Sequence, residues 1–126
     1  VISLAGKRVH PTLGFFLDAL TLARHLGRVP RFGGTIDTWW SVLQHSLFVS
    51  AMMEADGRTP RECLAGLLHD GHEFLRWDTP SDWKVEGDRI QAYRIDREIE
   101  RALAITPFTS AERDSVHPYD HDALIV

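Results

Sequence analysis

Three stretches of the chain carry the same four-residue device, and together they fix where helices begin. Ser41-Val42-Leu43-Gln44, Thr59-Pro60-Arg61-Glu62 and Thr109-Ser110-Ala111-Glu112 each set a hydroxyl three residues ahead of a Gln or Glu. In such a capping box the hydroxyl accepts an orphan backbone N–H of the first turn, and the longer side chain reaches back to the cap residue's own N–H. Pro60 strengthens the second start, because proline at the first helical position loses no hydrogen bond. The remaining punctuation follows the same logic. Thr12 is expected to cap a helix with Leu13, Phe16, Leu17, Leu20, Ala23 and Leu26 on one face and Gly27 at its end. Arg28 to Gly34, with Pro30 and paired Gly33-Gly34, reads as a loop. The Ser41 helix should run to Ala55 and close at Gly57. The Thr59 helix, with Leu64, Leu67 and Leu68 inward, should last until the turn Asp78-Thr79-Pro80-Ser81. A fourth helix from Asp88 carries Ala92, Ile95, Ile99, Ala102 and Leu103 and stops at Pro107, before the fifth at Thr109. No segment alternates with period two over a useful length. The expectation is an all-α fold, a bundle of about five helices in a single domain spanning the 126 residues.

Composition narrows the function classes. A formal net charge of −4 argues against a surface built to neutralise nucleic-acid phosphates, so no stable nucleic-acid binding is expected. Cys63 is the single cysteine, which excludes an internal disulfide and a multi-thiolate zinc site and suits a reducing, cytoplasmic setting. No apolar run is long enough for a membrane span, and Val1-Ile2-Ser3-Leu4 followed by Lys7 and Arg8 lacks signal-peptide order. No membrane partner is expected.

The chemistry-bearing residues are a subset of seven histidines. His10, His25, His117 and His121 have no partner at ligand spacing. His69-Asp70 differs, because it follows the apolar run Ala65-Gly66-Leu67-Leu68 and so places a carboxylate in the buried part of a helix. A buried carboxylate is costly unless it pairs or holds a cation. His45, one helix earlier, lies among Val42, Leu43, Leu47, Phe48 and Val49. By itself it reads as a hydrogen-bonded core residue. Two histidines and an aspartate on adjacent helices suit a metal site, since bundle interiors are where facing side chains assemble ligands. Imidazole with carboxylate fits Mn, Fe, Co, Ni, Zn or Mg. Asp120 or Asp122, ahead of Ala123-Leu124-Ile125, offers a further ligand. His72-Glu73 begins like a zincin motif, but position 76 is Arg, and neither Ser46 nor Ser50 sits on a nucleophile elbow.

The order His45, then His69-Asp70, then a late aspartate resembles the H…HD…D signature of HD-domain metal-dependent phosphohydrolases. Ser41-Val42-Leu43-Gln44-His45-Ser46-Leu47 and Leu67-Leu68-His69-Asp70-Gly71-His72-Glu73 are similar to the small 5′-deoxynucleotidase-like branch with its bacterial and phage relatives. Gly6-Lys7-Arg8 and Arg31-Phe32 extend the likeness over nearly the whole chain. The resemblance implies an HD-domain bundle in which His45, His69, Asp70 and a final aspartate hold a divalent ion, with Asp120 the better match than Asp122. It further implies a nucleotide substrate and a cytoplasmic enzyme of a bacterial or phage-infected cell, with a homo-oligomer expected. Relatives usually continue into another helix after the last ligand, so a C-terminal helix is expected to be lacking here.

Around the dyad, Glu73 lies four residues after His69, on the same helical face, and is a candidate to orient or deprotonate the attacking water; the plainer reading pairs it with Arg76. Asp78 completes a Glu73-x4-Asp78 arrangement that the nucleotidase relatives share and is assigned a water or substrate contact. Arg31 and Lys84 are candidate phosphate ligands, Lys84 being also readable as an ordinary surface lysine. Phe32 and Trp40 could flank a base, although tryptophan in a small helical protein is more often core filling. Helical periodicity turns Asp120 to the face of Val116 and Leu124 and Asp122 away from it, provided Pro118 opens a new helix. The expected activity is hydrolysis of deoxyribonucleoside 5′-monophosphates by a metal-activated water, Arg31 neutralising phosphate charge. A deoxynucleoside triphosphate triphosphohydrolase and a non-catalytic nucleotide- or partner-binding module are the alternatives.

Overall fold

In all three places the capping boxes form, and they set the helical frame. In the computed structural model, which describes residues 2–4, 7–9, 18–31, 39–76 and 86–123, α2 (Val42–Ala55), α3 (Pro60–Leu68) and α6 (Ser110–Asp114) follow Ser41, Thr59 and Thr109, with both reciprocal bonds present at each. Gly57 closes α2 with φ 76°, a left-handed conformation that glycine adopts without Cβ strain. The other helices are α1 (Ala19–Leu26), α4 (Glu73–Arg76), α5 (Glu86–Ala102) and α7 (His117–Ala123).

Three boundaries differ from the sequence reading. Asp18 caps α1, its carboxylate accepting the Thr21 N–H at 2.7 Å, so the helix starts well after Thr12. Leu13, Phe16 and Leu17 lie outside the described residues. On α1 it is Leu22 and Leu26 that are buried, while Leu20 faces solvent. The Thr59 helix ends at Leu68 instead of running on through the dyad, and the chain then turns from His69 to His72 before α4. α5 ends before Pro107: Ala104 takes φ 56° and the Ile105 N–H bonds the Glu100 carbonyl at 2.8 Å, which terminates the helix. The chain also pairs β1 (Ile2–Leu4) with β2 (Lys7–Val9) as an antiparallel hairpin, Ser3 opposite Arg8, where no strand was expected. Strands of three residues are too short to show a period-two pattern. The rest is helical, in seven segments among the described residues where about five were expected.

Two apolar clusters hold the helices together. One gathers Leu22, Leu26, Val29, Val42, Phe74, Ile95 and Ile99; the other gathers Val49, Met53, Ala65, Phe108, Val116 and Tyr119. Leu68 packs against both. α2 contributes Val42 to the first and Val49 to the second, and His45 lies between these two on the same face. The polar site described next therefore stands at the junction of two dry clusters. Close approach of α2 and α3 depends on Gly66, where a Cβ would lie 2.6 Å from the Met53 sulfur.

Candidate metal centre

Three separate pieces of chain deliver the site. His45 comes from the end of the first turn of α2 and is 2% exposed. His69 and Asp70 come from the turn after α3, and Asp120 from the first turn of α7. Pro118 is the second residue of α7, where it costs no helical hydrogen bond, and Asp120 is thereby carried inward while Asp122 is exposed. Asp120 Oδ1 lies 2.7 Å from His45 Nε2 and 3.2 Å from His69 Nε2. Asp70 Oδ2 lies 3.1 Å from His69 Nε2 and 3.9 Å from His45 Nε2. All four ligand-capable atoms fall within 4.8 Å of one another.

The break in α3 is what aims His69. Its Nδ1–H donates to the Gly66 carbonyl at 2.6 Å, taking an acceptor that a continuing helix would have given to the Asp70 N–H. With Nδ1 committed as donor to a carbonyl, Nε2 is the nitrogen that faces the carboxylates; it donates to them while the ring is protonated and becomes a ligand atom once that proton leaves. α7 is fixed beside Asp120 by Tyr119, whose hydroxyl donates to Asp56 Oδ2 at 2.7 Å and accepts from Arg58 Nε at 3.1 Å.

Electrostatics follow from this crowding. Burial opposes charge on His69, but the Asp70 carboxylate and the hydrogen bonds to Asp120 and Asp70 outweigh it and hold the imidazole well above its ordinary range. Burial would likewise raise Asp70, yet charge and hydrogen bonding from His69, with His72 beyond, keep it below the usual carboxylate range. Asp120 is depressed in the same way, its burial overcome by bonds from His45 and His69. The cluster thus demands positive charge among its nitrogens.

Around this cluster, Arg31 Nη1 sits 3.5 Å from Asp70 Oδ2, held there because its backbone N–H bonds the Trp40 carbonyl at 2.7 Å. Glu73 is 2% exposed and groups with Asp70 and His72, with ligand-capable atoms within 4.8 Å. It begins α4, so its approach to Asp70 comes from the turn and not from a continuous helical face. Trp40 is 37% exposed rather than core filling. Phe32, Asp78 and Lys84 lie outside the described residues. Two features went unread in the sequence. His72 Nδ1 meets both Asp96 oxygens, at 3.1 and 3.2 Å, and burial raises Asp96 above the usual carboxylate range despite that bond. A cavity of about 330 Å³ also opens beside His69, Asp70 and Asp120, bounded by α3, α5, α6 and α7. His72 and Asp96 are linked only across 24 residues, a pairing that no local motif announces.

Comparison with known protein families and with curated proteins finds no match to this chain. Among the described residues, no helix is long and apolar enough to cross a membrane.

Proposed function

We propose that the chain is a metal-dependent phosphohydrolase of the HD type, acting on nucleotides and releasing phosphate from deoxyribonucleoside 5′-monophosphates. The observation that supports this reading most is the meeting of His45, His69, Asp70 and Asp120 within 4.8 Å. The donor set fits a divalent ion of the Mn, Fe, Co, Ni, Zn or Mg group: two imidazole nitrogens and two carboxylate oxygens, the Nδ1 bond of His69 leaving its Nε2 to ligate when an ion displaces the proton there. Its two carboxylates call for positive charge, which a protonated His69 or a bound cation can supply. When bound, a divalent ion supplies Lewis acidity at a phosphate oxygen and makes water more acidic.

The chain's own residues account for the remaining work. Arg31, beside Asp70, presents a guanidinium to the phosphate oxygens and offsets charge that develops on them. Glu73, buried next to Asp70, orients the attacking water and takes up its proton. Asp96 fixes the ring of His72 behind Glu73 and so keeps that wall of the site in one arrangement.

The test is an assay of protein loaded in turn with Mn, Co and Mg against deoxyribonucleoside mono- and triphosphates, separating inorganic phosphate from tripolyphosphate among the products. Phosphate release from monophosphates is the expected result. Glu73→Ala should lower turnover by roughly two orders of magnitude or more while metal content stays near normal. Release of tripolyphosphate would replace the reading with a triphosphohydrolase, and no hydrolysis under any metal would leave a binding module.

A further inference from the structure

Trp40, which the sequence singled out for the base, is not among the residues that line the cavity beside the cluster. We infer that this cavity, between α3, α5, α6 and α7, receives the nucleoside portion of the substrate; the inference rests on the phosphohydrolase reading above.

Position is the first argument. His69, Asp70 and Asp120 line the cavity, so a phosphate ester held at the cluster has this space adjoining it for its organic part. Size is the second. At about 330 Å³ the cavity falls at the small end of the ~300–1,000 Å³ span of small-molecule sites, which suits one base with its sugar. The third argument is the lining. Leu68, Ile99, Phe108 and Val116 supply an apolar wall of the kind that takes the face of a planar heterocycle. Arg113 and Asp114, adjacent on α6, supply a donor and an acceptor for its edge. Arg113 is available for this: its bonds run to the Phe108 carbonyl at 2.8 Å and Ser110 Oγ at 3.2 Å, both neutral, and it has no carboxylate within ion-pair distance among the described residues.

The same lining disfavours a polyphosphate tail as occupant. Glu100 in the wall is engaged by Arg97 and by the Phe108 N–H at 2.8 Å, so the Arg97 charge is already matched. Asp96 is tied to His72. A chain of phosphates would meet the matched pairs Arg97–Glu100 and His72–Asp96, with Arg113 and Asp114 opposed in sign, and would gain little net attraction, whereas a neutral heterocycle needs none. Trp40, the alternative base platform, is half-exposed and is not part of this wall.

The experiment is NMR titration of the Mg-loaded full chain with a deoxyribonucleoside 5′-monophosphate, with inorganic phosphate and with tripolyphosphate, following the methyl resonances of Ala65, Ile99 and Val116. The nucleotide should move these methyls, and inorganic phosphate should not. A second arm fills the space: Ala65→Leu, at a buried wall position, should weaken nucleotide binding roughly tenfold or more and leave inorganic phosphate binding within about twofold. Methyls that stay unmoved by nucleotide, equal nucleotide affinity in the filled variant, or movement by tripolyphosphate alone would each overturn the assignment. Because the wild-type titration needs no substitution, a misfolded Ala65→Leu does not rescue it. Nucleotide that moves the methyls but is never hydrolysed supports the pocket and refutes the phosphohydrolase reading. Hydrolysis with unmoved methyls does the reverse.

Discussion

His45 and His69 bring equivalent nitrogens to the same two carboxylates, but the chain holds them by different means. His45 stands at the end of the first turn of the fourteen-residue α2, one turn from Val42 and Val49, which are 0% exposed, and its position is a consequence of core packing on both sides. His69 stands at the very end of α3, is held by one short bond from Nδ1 to the Gly66 carbonyl, and is followed by a turn. One imidazole is therefore set by the core and the other by a local strap. A buried helix position gives rigidity at the cost of coupling the site to stability. A strapped helix end holds His69 and Asp70, consecutive in sequence, where both reach the same point.

The comparison is broken most severely by removing each imidazole in turn. His69→Ala deletes a ligand atom and the strap together, and tight divalent binding should fall by more than roughly two orders of magnitude, as measured by calorimetry with Zn or Co. The thermal midpoint of the metal-free protein should fall modestly, because Asp70 and Asp120 lose the imidazolium beside them while neither apolar cluster is opened. His45→Ala should lose metal as fully but lower that midpoint further, because it leaves a void beside Val42 and Val49. Equal midpoints in the two variants would erase the distinction.

Much of this was legible beforehand, and the reason is local chemistry. The starts of α2, α3 and α6 were readable because Ser41, Thr59 and Thr109 act on backbone groups within three residues. The facing of Asp120 and the outward turn of Asp122 were readable from periodicity, once Pro118 is placed in a first turn. What could not be read depends on contacts distant in sequence. The end of α3 coincides with the bond from the His69 ring to the Gly66 carbonyl, which an apolar stripe through Leu67 and Leu68 does not reveal. The His72–Asp96 pair and the cavity arise only when α5 packs behind the turn. Asp18 caps α1 through the Thr21 N–H, a start that an apolar stripe drawn from Leu13 does not announce.

A smaller effect sharpens the same comparison at the carboxylates. Asp120→Ala should weaken metal affinity and activity together, roughly tenfold to a hundredfold, while Asp122→Ala leaves both nearly unchanged. The reverse result would mean that α7 is rotated from the arrangement described.

Smallest of all is Tyr119→Phe, which keeps the ring in its cluster but removes the hydroxyl that joins Asp56 and Arg58. Stability should fall by about 1–2 kcal/mol in denaturant titration. Metal affinity should fall only a few-fold, because Asp120 retains the helix that carries it. A loss as large as that of Asp120→Ala would show that α7 has no other means of support.

The central claim is that two imidazoles from differently built helix positions share one cation with Asp70 and Asp120. X-ray absorption of the Zn-loaded chain tests it most directly. The account predicts a first shell of nitrogen and oxygen at about 2.0–2.1 Å with outer-shell scattering from two imidazole rings, reduced to one ring in His69→Ala. A sulfur shell from Cys63, or an oxygen shell without imidazole scattering, would contradict it.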